Sequence, residues 1–182
     1  MPDSNVIAAK SDDEIWKIIA EQLNSKEDNL NYAAQFSIKN HYVTLDIDIH
    51  PDSGDENGKP FSSFSAKLPD TTGFRFNIEK QGLKHRIGKL FGMQDVIIGN
   101  ADFDKKFLIQ TNDVVKVKEL LSNAEVSAAL LKEPVVDFAI REHKIGANRE
   151  IVLHLDIEGG ITEPARLKDI FVPFKIVLDY LD

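Results

Sequence analysis

The chain has no cysteine among its 182 residues. Disulfides, thiolate metal sites and a cysteine nucleophile are therefore excluded. No apolar run approaches the roughly 20 residues that a membrane-spanning helix needs. The opening Met1-Pro2-Asp3-Ser4 has neither the basic nor the apolar stretch of a signal peptide, so the expectation is a soluble, cytoplasmic protein. Positive charge is in deficit: 22 Lys+Arg against 30 Asp+Glu leave a net charge of −8. Such a balance argues against nucleic acid as a partner, because broad nucleic-acid binding needs cations over phosphates. Familiar catalytic strings are missing too: there is no H-E-x-x-H, no G-x-S-x-G and no G-x-G-x-x-G. Gly82 to Lys89 imitates a phosphate loop, but has one residue too many between its glycines, and Leu90 stands where Ser or Thr should hold Mg²⁺. Ser53, Asp55, Asn57 and Gly58 imitate the first half of a calcium loop, but Phe64 stands where its closing acid belongs.

What is present reads as globular. Hydrophobic residues make up 42% and charged residues 29% of the chain. At roughly 150 residues per domain, the expectation is one domain over 1–182, with residues 1–10 as a flexible arm. Ser11 and Glu14 have capping-box spacing, and Ile15, Ile18, Ile19 and Leu23 follow on one helical stripe. Trp16 is expected at the edge of the core. Period-two alternation predicts strands at Val43 to Ile49, Phe74 to Ile78, Val136 to Ile140 and Ile151 to Ile157. Further strands are expected at Tyr32 to Ile38, Phe61 to Leu68, Val96 to Ile98 and Phe107 to Gln110, with Gly99 to Asp104 as a turn. Two helices should follow, one on Val114, Val117, Leu120 and Leu121, the next capped by Ser122 with Glu125. A last helix, capped by Thr162 and opened by Pro164, should kink or break near Asp169-Ile170 because Pro173 lies inside it. Hairpin-length connections dominate and no βαβ rhythm appears. The fold class expected is α+β, a mainly antiparallel β-sheet with helices packed on one face.

Two groups of residues carry chemistry. Asp46, Asp48 and His50 share one strand face, and His154, Asp156 and Glu158 share another. Carboxylates and imidazoles brought together would suit Zn, Mn or Fe, and would support metal-assisted hydrolysis. Polar residues on the wet face of an antiparallel sheet account for the same pattern. The second group is a basic segment in an acidic chain: Lys80, Lys84, Arg86 and Lys89, with Leu90 and Phe91 beside them. It suits an acidic partner or an anionic membrane surface, although Gly82, Gly88 and Gly92 weaken a helix there. The acidic stretch 46–57 opposes it, a pairing suited to electrostatic steering or self-association. These features favour a non-enzymatic binding or protein-interaction module with no cofactor. A small metal-dependent hydrolase and a peripheral membrane protein are the alternatives.

The run Gly99-Asn-Ala-Asp-Phe103-Asp104-Lys-Lys-Phe107 leads into a strand and two helices with paired leucines, Leu120-Leu121 and Leu130-Leu131. A β-hairpin and a closing helix complete the order. From about residue 96 to 181 this resembles a family of bacterial proteins of the G-x-x-x-F-D-x-x-F type, grouped as a domain of unknown function. The resemblance implies a bacterial, soluble domain and brings no catalytic residue with it. The motif also has a structural reading: Phe103 and Phe107 anchor the segment, and Asp104 accepts from nearby backbone N–H groups.

Overall fold

Alternating apolar and polar residues set the architecture. The computed structural model describes residues 5–25, 31–49, 59–82, 92–134, 136–145 and 148–182. Among them are nine strands: β1 Asn5–Ile7, β2 Asn31–Ile38, β3 His41–Asp48, β4 Phe61–Leu68, β5 Phe76–Lys80, β6 Gln94–Asp95, β7 Phe107–Thr111, β8 Val136–Ile145 and β9 Asn148–Glu158. Five helices join them: α1 Asp12–Ser25, α2 Ala101–Lys106, α3 Val114–Ser122, α4 Ala124–Lys132 and α5 Pro164–Leu181. The strands form one sheet in the order β1-β2-β3-β4-β9-β8-β5-β7-β6, and only the β1–β2 pair is parallel. The α+β expectation holds. None of the described helices is long and apolar enough to cross a membrane.

One face of this sheet is a continuous apolar row. Ala34, Leu45, Phe64, Leu155, Phe138, Ile78 and Ile109 stand opposite one another across adjacent strands. All are essentially without solvent contact. The helices cover this face. Phe171 of α5 lies 5.0 Å from Phe64 and 5.8 Å from Phe36, ring to ring, and Trp16 of α1 lies 5.6 Å from Phe171. Trp16 is thus part of the core, not its edge. Lys168 of α5 pairs with Asp13 at 3.1 Å and Lys175 pairs with Asp12, which clips α1 to α5. At the far end of α5, Asp179 accepts from Lys39 and Asp182 meets His41, both at 2.7 Å. Those two partners belong to the β2–β3 hairpin, whose two-residue turn places Lys39 at φ 51°.

Several local expectations need correction. Residues 5–7 are not a frayed arm; they pair as β1 alongside β2. The edge strand beside β7 is Gln94–Asp95 rather than 96–98. Gly99 to Asp104 is not a simple turn: Asn100 caps α2 by accepting from Phe103 N, and the acids Asp102 and Asp104 precede Lys105 and Lys106 along the helix dipole. The Asp104 carboxylate does accept from Ile98 N and Gly99 N, both at 2.9 Å, while Phe103 and Phe107 are buried with rings 4.7 Å apart. Glu163, not Thr162, is the N-cap residue of α5, without a side-chain cap bond, and α5 runs unbroken through Pro173. The glycine pair after β9 is required by geometry: Gly159 has φ 117°, and a Cβ on Gly160 would lie 2.7 Å from Ile49 Cγ1.

The cap of α4 yields a first prediction. Asn123 Oδ1 accepts from Glu125 N and Val126 N, whereas the Ser122 hydroxyl donates back to Glu119 O. Asn123→Ala is expected to cost about 1 kcal/mol in urea unfolding. Ser122→Ala should stay within about 0.5 kcal/mol. The reverse ranking would restore Ser122 as the cap.

Candidate functional site

The residues of opposite phase face away from the helices. Their register lines up Asp46 of β3, Ser63 of β4, Asp156 of β9, Asp137 of β8 and Glu79 of β5. Adjacent strands are about 4.8 Å apart, so Asp156, Asp137 and Glu79 are direct cross-strand neighbours. Like charges placed directly opposite one another are destabilising, by roughly 0.2–1 kcal/mol per pair. The next row carries Thr44, Ser65, His154, Ala139, Asn77 and Gln110.

At the centre, charged groups converge. Asp137 Oδ2 accepts from Arg141 Nη2 at 2.7 Å, and the same Nη2 contacts His154 Nε2. His154 Nε2 is 3.3 Å from Asp137 Oδ1. Nε2 thus faces a guanidinium, which only donates, and a carboxylate, which only accepts, and the tautomer of the ring sets which of the two it serves. Asp156 lies beside them and accepts from Ser63 Oγ at 2.6 Å. One ligand atom each from Asp137, His154 and Asp156 fall within 4.8 Å of one another. His154 is only 5% exposed, yet its Nδ1 has no hydrogen-bond partner among the described residues. A buried polar atom left so costs about 1–3 kcal/mol.

The electrostatics follow from this crowding. Burial works against the Asp137 charge, but the hydrogen bond and charge of His154 and the pairing with Arg141 outweigh it and hold the carboxyl at about 2. Glu79 moves the other way: burial raises it and the Asp137 charge adds to that, against the opposing Asn77 bond and Arg141 charge. Asp46 is raised by burial and by Asp48. His143, whose ring is 5.8 Å from that of His154, is lowered by burial and then by the positive charges of His154 and Arg141.

The two strand triplets of the sequence do not form one centre. His154 and Asp156 join the cluster. Glu158, at the end of β9, is exposed and pairs with Lys59 at 3.0 Å. Asp46 and Asp48 sit on β3, with the whole of β4 between them and β9. His50 lies outside the described residues, as do Lys84, Arg86, Lys89, Leu90 and Phe91. Lys80 is exposed at the end of β5. The residues that sequence reasoning left out are Asp137, Arg141 and Glu79. A signal for the first two existed. Ile145 faces Asn148 in the hairpin, and counting back from that turn sets Asp137 opposite Asp156. A cleft of about 380 Å³ lies elsewhere, between α4 and α5, lined by Lys132, Glu133, Arg166 and Asp169 among others.

Comparison with family models, with curated proteins and with solved structures returns no match.

Proposed function

We propose that this chain is a non-enzymatic binding module, working in the cytoplasm, whose sheet face away from the five described helices takes a positively charged ligand. The observation that carries this reading is the run of Asp156, Asp137 and Glu79 on three adjacent strands, each directly opposite the next. A sheet evolved for stability alone places opposite charges, not like charges, in such positions. Arg141 and His154 offset part of the repulsion, and Asp46 extends the acidic row two strands further. Sites that break a local stability rule in this way are where function is expected.

Thermal unfolding of the tag-free chain in physiological salt tests this. Suitable probes are hexalysine, spermidine, Mg²⁺, Mn²⁺ and Zn²⁺. A ligand at 100 times its Kd should stabilise by about 2.7 kcal/mol. For a domain of this size that is a Tm rise of roughly 5–10 °C. The rise should be largely lost in the Asp156→Asn, Glu79→Gln double variant. No shift with any of the five probes would sink the reading.

A further inference from the structure

We infer that the cation is a first-row divalent metal ion, held by Asp137, His154 and Asp156 in the place now taken by the Arg141 guanidinium. The inference rests on the binding reading above and specifies its ligand.

Three observations carry it. The donor set is one imidazole and two carboxylates, which suits Zn²⁺, Mn²⁺ or Fe²⁺ better than the all-oxygen preference of Ca²⁺ and Mg²⁺. One donor atom from each residue already falls within 4.8 Å of the others. Donors bound to a common ion at about 2.0–2.2 Å lie roughly 3–4 Å apart, so small side-chain rotations close the set. All three residues stand on the paired strands β8 and β9, where the backbone register fixes their spacing. The second observation is His154 itself. It is 5% exposed, flanked by carboxylates, and its Nδ1 makes no hydrogen bond among the described residues. The only groups of the described residues that hydrogen-bond this ring are Arg141 and Asp137, both at Nε2, where the ion would sit. The third is Arg141. Its Nη2 lies between Asp137 Oδ2 and His154 Nε2, so those acceptors point at one locus and a positive group is drawn to it. A guanidinium on a long side chain that is 22% exposed can swing out toward solvent and free both acceptors. Ser63, donating to Asp156 Oδ1, would then orient that carboxylate from behind.

Isothermal titration of the tag-free full chain with ZnCl₂ and with MnCl₂ tests the inference, with CaCl₂ as the control. One ion per chain is expected for Zn²⁺ or Mn²⁺, and no comparable heat for Ca²⁺. Asp156→Asn and His154→Gln should each weaken binding at least about tenfold, a loss seen even for residues that only support a ligand. Arg141→Met removes the competing cation and should tighten it several-fold. Circular dichroism melts confirm that each variant is folded. If a variant does not fold, the Mn²⁺ electron paramagnetic resonance spectrum of the wild-type chain supplies a second test. A spectrum identical to that of the hexa-aquo ion would overturn the inference. Binding that is indifferent to both Asp156→Asn and His154→Gln, or unchanged or weakened in Arg141→Met, would also overturn it. Absence of metal heat while hexalysine or spermidine still stabilises the chain would overturn the metal inference and leave the binding reading standing. Absence of every response would remove both.

Discussion

Phe171→Ala should cost about 3–5 kcal/mol, the range for deleting a buried aromatic side chain. Phe171 is 2% exposed and its ring meets four others: Phe64 at 5.0 Å, Trp16 and Phe174 at 5.6 Å, and Phe36 at 5.8 Å. These partners come from α1, β2, β4 and α5 itself, so the site cannot collapse without shifting three separate elements. The lost term has two parts: transfer of the ring to water, and the cavity that rigid neighbours leave behind. Domains are stable by about 5–15 kcal/mol in total, so this one change removes a large share. Urea unfolding should show the midpoint falling at nearly constant slope. Phe171→Leu should recover a substantial part, because it keeps apolar volume in place. Tyr42→Ala is the contrast. Tyr42 is 80% exposed, and its replacement should stay within about 0.5 kcal/mol. A cost for Phe171→Ala near that of Tyr42→Ala would mean that α5 does not dock as described.

Periodicity made most of this core legible. The apolar phases of β3, of β9 and of β8 from Val136 to Ile140 are written in alternation, and each one is buried. Short elements escaped for a physical reason. β1 has three residues, of which only Ile7 is buried, so no period can show. In α2 six residues hide behind the positive-φ Gly99, and the helix is announced only by its Asn100 cap and the order of its charges. At α4, Ser122 has the right spacing for a capping box, but Asn123 is one residue closer and reaches two backbone N–H groups. The candidate site divides the same way. His154 and Asp156 were visible as one phase of a single strand. Asp137 and Arg141 were recoverable from the register of a hairpin that the sequence also shows. Glu79 was not, because β5 lies between β8 and β7 and no tight turn links it to β8. Nor does any local signal say that β4 separates Asp46 from Asp156. Strand order in a sheet is a global solution, and residues brought together by it leave no mark on their own neighbours in sequence.

Asp137→Asn should lower stability at pH 7 by about 2 kcal/mol, and the loss should depend on pH in a defined direction. The Asp137 carboxyl sits at about 2 in the folded chain against an ordinary value of 3.8. A depressed folded value means that ionisation favours the native state. The contribution is complete above the unfolded value and lost as pH falls through the folded one. Wild type and Asp137→Asn should therefore differ most from about pH 5 upward and converge toward pH 2. Glu79→Gln should behave oppositely. The Glu79 carboxyl is raised, first by burial and further by the Asp137 charge, so its ionised form opposes folding. Removing that charge should stabilise the chain at neutral pH, and the gain should fade as wild-type Glu79 protonates on acidification. Urea midpoints for the three proteins at pH 7, 5 and 3 measure both trends. The double variant adds a further check, because Asp137 and Glu79 are direct cross-strand neighbours and their effects should not sum. With Asp137 neutral, the one charge that raises Glu79 is gone and only burial still raises it, so the stabilisation from Glu79→Gln should shrink. If instead Asp137→Asn stabilises the chain at pH 7, repulsion along the carboxylate row outweighs the pairing with Arg141 and His154, and the electrostatic account of this face is wrong.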